Sequence, residues 1–97
     1  MQQFDVCRLK HGEIAVILQH DTFSDFKTRM VAPLVPKARG KLATSLNPVL
    51  KFDRRDWVLA THLMGVVQIS VIKEVIGSLE RDNYTIKRAL DQLFLGV

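Results

Sequence analysis

A chain of 97 residues makes one domain, and one that buries only about two thirds of the surface its unfolded form exposes, so its core is thin. Hydrophobic residues at 47% and charged residues at 25% are the proportions of an ordinary folded soluble domain, which excludes a disordered or fibrous chain. A net charge of +4 with a pI near 9.6 is mild and scattered, densest at Lys37-Ala38-Arg39-Gly40-Lys41 and Arg54-Arg55. Nucleic-acid binders gather such charge into a stripe with aromatics between. Solvated loops are the plainer reading here, and a docking face for an acidic peptide the next.

A mean hydropathy of +0.08 is high for so small a body and points to a homo-oligomer that covers the surplus apolar surface. The longest apolar run, Ile14 to Leu18, falls far short of a membrane span. The N-terminus lacks the apolar stretch of a signal peptide, so the expected location is cytoplasmic, with no membrane partner. Cys7 is the single cysteine, which rules out an intrachain disulfide or a cysteine-based zinc site. Its alternating neighbours make it a small filler in a strand.

In chain order, residues 3 to 9 alternate as a first strand, and Lys10-His11-Gly12 signals a turn. Ile14-Ala15-Val16-Ile17-Leu18 predicts a second strand buried on both faces, paired with the first as a hairpin. A polar loop from Gln19 to Thr28 carries two phenylalanines, of which one is expected to fold inward and the other to be a contact. Arg29 to Val35 predicts a third strand, placed at an edge or a bulge because Pro33 has no N–H to donate. Pro36 to Pro48 is a long polar connection in which Lys41-Leu42-Ala43 holds a helical turn. Val49 to Phe52 and Trp57 to Leu63 read as strands joined through Asp53-Arg54-Arg55-Asp56. Met64-Gly65 turns the chain into a β-branched strand, Val66 to Ile72, and Gly77-Ser78 breaks the pattern. Asp82 to Val97 closes with Ile86, Ala89, Leu90, Leu93, Phe94 and Val97 on one helical face, capped by Ser78 or Asp82. The expected fold is mainly β, a small curled sheet or barrel sealed by a C-terminal helix.

The catalytic inventory is poor. His11, His20 and His62 have no metal-ligand spacing, no phosphate-cradling or nucleophile motif occurs, and neither cofactor nor metal is expected. A ribonuclease would need a general acid and base with a cation. His20, Arg29, Glu13 and His62 are the candidates, with no spacing that favours them. Trp57 reads as a core anchor. The stretch that stands out is the helix end, where Phe94-Leu95-Gly96-Val97 is apolar; it either docks on the domain or meets a partner.

Ordered landmarks along the whole chain resemble one family. They are Met1-Gln2-Gln3-Phe4, Leu18-Gln19-His20-Asp21, Thr28-Arg29-Met30-Val31-Ala32-Pro33-Leu34, Asn47-Pro48-Val49, Trp57, Ile69-Ser70-Val71-Ile72, Ile86-Lys87 with Ala89, and Phe94-Leu95-Gly96-Val97. The chain is similar to the CcdB family, the gyrase-poisoning toxins of bacterial toxin–antitoxin pairs. The resemblance implies a small SH3-like β-barrel of the CcdB/MazF/Kid type, a twofold homodimer, and no chemistry of its own. The implied target is the DNA gyrase A subunit, trapped on cleaved DNA. The implied second partner is an antitoxin whose disordered C-terminal segment, expected to be acidic, folds on binding. DNA would be met only indirectly, through an autorepressing toxin–antitoxin complex. Carried onto matching positions, the gyrase contacts are Thr22 and Phe23 in the loop after the second strand, with Asp91, Phe94, Leu95, Gly96 and Val97 at the helix end. The best-known member has tryptophan where Leu95 stands and asparagine where Asp91 stands, and its first hairpin loop looks longer. Two other readings follow from the same resemblance: an mRNA endoribonuclease of the same barrel, and a degenerate member that dimerises but poisons nothing.

Overall fold

The structure, a computed structural model, describes residues 1–37 and 46–96. The predicted first hairpin forms from β1 (Asp5–Leu9) and β2 (Ile14–Ile17), antiparallel with Val6 opposite Val16. Gly12 supplies the positive φ of 93° that its turn needs, and the turn closes as Gly12 N–H donates to Leu9 O and Leu9 N–H to Glu13 O. Both faces of β2 are buried, as its unbroken apolar run predicts. Val6 and Val16 join one core with Phe4, Leu34, Leu50, Leu59, Leu79 and Ile86, while Cys7, Ala15 and Ile17 point to a second core with Val31. The period-two alternation of strands divides one apolar run between two cores.

The third strand, β3 (Thr28–Pro36), is neither an edge nor a bulge; it is the splint of the sheet. One side of it pairs with β2. The other side pairs first with β6 (Gly65–Gln68), over Thr28 to Val31, and then with β5 (Arg55–Leu59), over Leu34 to Pro36. Pro33 falls in the gap between those two partners, where a missing N–H breaks no ladder. Its carbonyl faces the same gap and accepts the Ala60 N–H at 2.9 Å.

β4 (Val49–Phe52) and β5 form the expected hairpin, but its turn is only Asp53-Arg54, with φ of 52° and 64°. Two positive φ values match the type I′ geometry that suits strand twist. The predicted strand through Leu63 stops at Leu59, and Thr61–Leu63 forms a 3₁₀ turn. His62 therefore lies on that turn and not in an alternating strand. Thr61, fully buried, anchors the turn by donating its hydroxyl to Leu46 O at 2.6 Å.

The single strand expected from Val66 to Ile72 is broken into β6, a 3₁₀ turn at Ile69–Val71, and β7 (Ile72–Ser78). The reason is topological. β6 pairs with β3 and β7 pairs with β1, so the chain must turn to reach the opposite side of the β1–β2–β3 strip. The order β4-β5-β3-β2-β1-β7, with β6 on β3, is a curled half-barrel of antiparallel strands. Gly77 does not break β7 but lies within it, its Cα side against the Phe52 ring.

A 3₁₀ turn at Glu80–Asp82 leads into α1 (Asn83–Leu95). Neither expected cap acts on α1 through its side chain. Ser78 Oγ accepts the Glu80 N–H at 3.1 Å instead, and Asp82 holds the cap position without a side-chain bond. Ile86 and Ala89 are fully buried, and Leu90 packs on the same core. Burying Ile86 contributes on the order of 2–3 kcal/mol, which seats the helix on the sheet. The helical turn expected at Lys41-Leu42-Ala43 lies outside the described residues.

Candidate partner-binding surface

The helix that seals one core leaves its last turn outside. Asp91 is exposed, Phe94 exposes 68% of its surface although it continues the apolar face, and Leu95, off that face, exposes 69%. Gly96 ends the helix at φ 74°, the left-handed conformation that lets its N–H donate to Gln92 O at 3.0 Å. Val97 lies outside the described residues.

The loop between β2 and β3 is built by polar side chains turned inward. Arg29 is 6% exposed, and its guanidinium donates to the carbonyls of Phe26 (2.5 Å), Thr28 (2.8 Å) and Ser24 (2.9 Å). Gln19 donates from Nε2 to Phe23 O and accepts the Met30 N–H at Oε1. His20 Nδ1 accepts the Thr22 N–H at 3.0 Å and lies 2.8 Å from its hydroxyl, capping a 3₁₀ turn at Asp21–Phe23. Asp21 Oδ1 accepts the Gln3 N–H, tying the loop to the N-terminus. With the polar groups satisfied inside, both phenylalanines point out. Phe23 and Phe26 are exposed, their ring centroids 5.8 Å apart. The expectation that one of them folds inward fails, because the Arg29 guanidinium and its three carbonyls occupy the loop interior.

Residues distant in sequence meet here. A groove of about 310 Å³ runs between loop and helix, lined by Leu18, Phe23, Met30, Met64, Leu90 and Phe94, with Gln19 and His20 at its side. Phe23 and Phe94 thus share one apolar concavity. Thr22 is exposed in the same loop but uses its N–H and hydroxyl on His20. A larger, polar hollow of about 440 Å³ lies on the far side of His20, among Gln2, Gln3, Asp21, Ser78, Glu80 and Lys87.

The ribonuclease candidates do not converge. Arg29 is consumed by carbonyls, and Glu13 and His20 lie beyond opposite ends of β2, roughly 13 Å or more at 3.3 Å per residue. His62 Nδ1 lies 3.1 Å from Asn47 Oδ1. Among the described residues no hydrogen bond or ion pair links these four, and no three His, Cys, Asp or Glu side chains are grouped to hold a metal ion. Cys7 is buried, and burial, helped by the charge of Asp5, pushes its thiol up to about 11. No helix of the described chain is long and apolar enough to cross a membrane.

Leu18, Gln19, His20, Met30, Met64 and Leu90 line this groove although sequence reasoning did not assign them to it, and Arg29 shapes the loop beside it. A signal for Arg29 existed: an arginine at the head of a strand, after a long loop whose carbonyls need donors.

A half-barrel with a docked helix, apolar rings gathered along one groove and polar groups spent on shaping a loop, has the form of a small binding module. The family model described as CcdB protein matches residues 3–96. The chain belongs to the CcdB family, the toxin side of toxin–antitoxin pairs.

Proposed function

We propose that this protein poisons DNA gyrase by binding its A subunit and trapping the enzyme on cleaved DNA, with no catalysis by the toxin itself. Phe94, Leu95, Gly96 and Val97 form the principal anchor, Asp91 flanks it, and Thr22 with Phe23 contribute from the loop. The observation that carries this reading is the groove shared by Phe23 and Phe94: apolar rings from separate elements, exposed side by side, form the kind of anchor that dominates a protein interface. Leu95 offers a smaller anchor than an indole, and Asp91 adds a charge at the rim. The protein acts as a cytoplasmic homodimer. Its antitoxin binds through an acidic segment that orders on contact, and DNA is engaged only through that complex.

Deleting Leu95 to Val97 tests the reading. Growth arrest on induction without antitoxin disappears, while circular dichroism and dimer mass stay unchanged. Undiminished killing by the truncated protein would refute the terminal anchor. Cells carrying a gyrase A subunit altered in its dimerisation region are expected to survive induction of the intact protein.

A further inference from the structure

The loop after β2 is inverted relative to what stability favours. Arginine is almost never buried without a partner that offsets its desolvation, and exposed phenylalanine forfeits the stabilisation its burial would bring. Here the cation is inside, bonded only to backbone carbonyls, and the rings of Phe23 and Phe26 are outside. A loop chosen for stability alone would turn one ring inward and leave the arginine in water. What the observed arrangement achieves is rigidity. One planar guanidinium spans three carbonyls between Ser24 and Thr28, which fixes the backbone on both sides of Phe26. The two rings stay in contact at 5.8 Å and 41° beside the groove that ends at Phe94.

We propose that Arg29 is a positioning residue that locks the Phe23–Phe26 pair as a second, preformed aromatic anchor, and that Phe26 is a direct target contact beyond the helix-end residues. The identity of that target rests on the gyrase reading above. Pre-locking removes the cost of ordering the loop when a partner arrives. The fork is also specific to arginine, since a lysine ammonium keeps the charge but cannot present parallel donors to three carbonyls.

The variants are Phe26→Ala, Arg29→Lys, and the two combined, in the full-length toxin. Hydrogen exchange of the Ser24 to Thr28 amides reads the lock, and titration calorimetry against a purified gyrase A fragment reads the contact. Arg29→Lys accelerates exchange in that loop while the β1 and β2 amides stay protected, and it weakens binding about tenfold, as Phe26→Ala does. The double variant binds no more than about twofold more weakly than the worse single one, because both changes remove the same anchor. Unchanged loop exchange in Arg29→Lys, or losses that multiply in the double variant, would overturn the proposal. A wild-type toxin that fails to bind the fragment removes gyrase as the target. In that case Arg29 still stands or falls on the exchange result, and Phe26 on the same cycle of growth-arrest potencies.

Discussion

Two glycines show how differently one added methyl group is received. At Gly77 a Cβ would overlap the half-buried Phe52 ring, so that ring must shift where it packs against the core. Gly77→Ala is expected to cost about 1–3 kcal/mol in urea unfolding. At Gly96 a Cβ meets nothing within 4 Å, and the cost is only that of holding φ at 74° with a side chain. Gly96→Ala is expected to cost about 1 kcal/mol and to fray the last helical turn, seen in the amide protection of that turn. Cys7 gives a pH signature. Its pKa is raised in the folded state, so the unfolded chain loses that proton first as pH rises. The contribution is intact below pH 9 and is lost as pH climbs from 9.0 toward 11. Denaturation midpoints should fall across that window in wild type and fall less in Cys7→Ala. A colorimetric thiol reagent should react slowly with native protein at neutral pH and fast after unfolding.

At the scale of elements, α1 does two jobs on two sides. Ile86→Ala removes a fully buried side chain and is expected to cost about 2–5 kcal/mol by thermal or urea unfolding. Leu95→Ala, at a position 69% exposed, should leave the unfolding midpoint within about 0.5 kcal/mol of wild type while growth arrest is lost. Comparable stability losses in the two variants would show that the last turn docks on the domain. The 3₁₀ turns have a shared cause. That at Thr61–Leu63 shifts the chain from β5 to β6 along one side of β3, and that at Ile69–Val71 carries it from β6 across to β7 beside β1; in each a tight turn changes direction in three residues.

Across the whole molecule, charge is not evenly spread. Lys37, Arg39, Lys41, Lys51, Arg54 and Arg55, against Asp53 and Asp56, account for the entire net charge of +4. Among the described members, Lys37 N–H donates to Asp56 O and Lys51 pairs with Asp56 at 3.8 Å, so Lys37, Lys51, Arg54 and Arg55 gather with Asp53 and Asp56 at the β4–β5 end. That end suits the acidic antitoxin segment proposed above. Toxin–antitoxin affinity is expected to weaken as ionic strength rises past the point where the screening length falls below about 10 Å. Replacing Lys51, Arg54 and Arg55 by glutamine should flatten that salt dependence in a binding titration. A salt-insensitive complex would mean that apolar contacts dominate.

Local patterning determined much of this fold. Alternation in β1, the unbroken run of β2, the Gly12 turn, the β4–β5 hairpin and the amphipathic face of α1 were all legible, because each follows from spacing along a few residues. The resemblance carried by the Arg29-Met30-Val31-Ala32-Pro33-Leu34 segment and the apolar helix end pointed to the family that the match over residues 3–96 establishes. What tertiary structure decided was pairing. Pro33 suggested an edge, yet β3 is central, since only the sheet reveals that its second side changes partner at that residue. Val66 to Ile72 has the composition of one strand, yet it is cut in two because its halves belong to opposite sides of a curled strip. The loop after β2 departs from its expected form for the same reason: whether Phe23 and Phe26 turn in or out depends on what fills the interior. Arg29 fills it through carbonyls that no side-chain pattern displays. Spacing along the chain encodes which faces are apolar, but the partners of backbone groups exist only once distant segments have met.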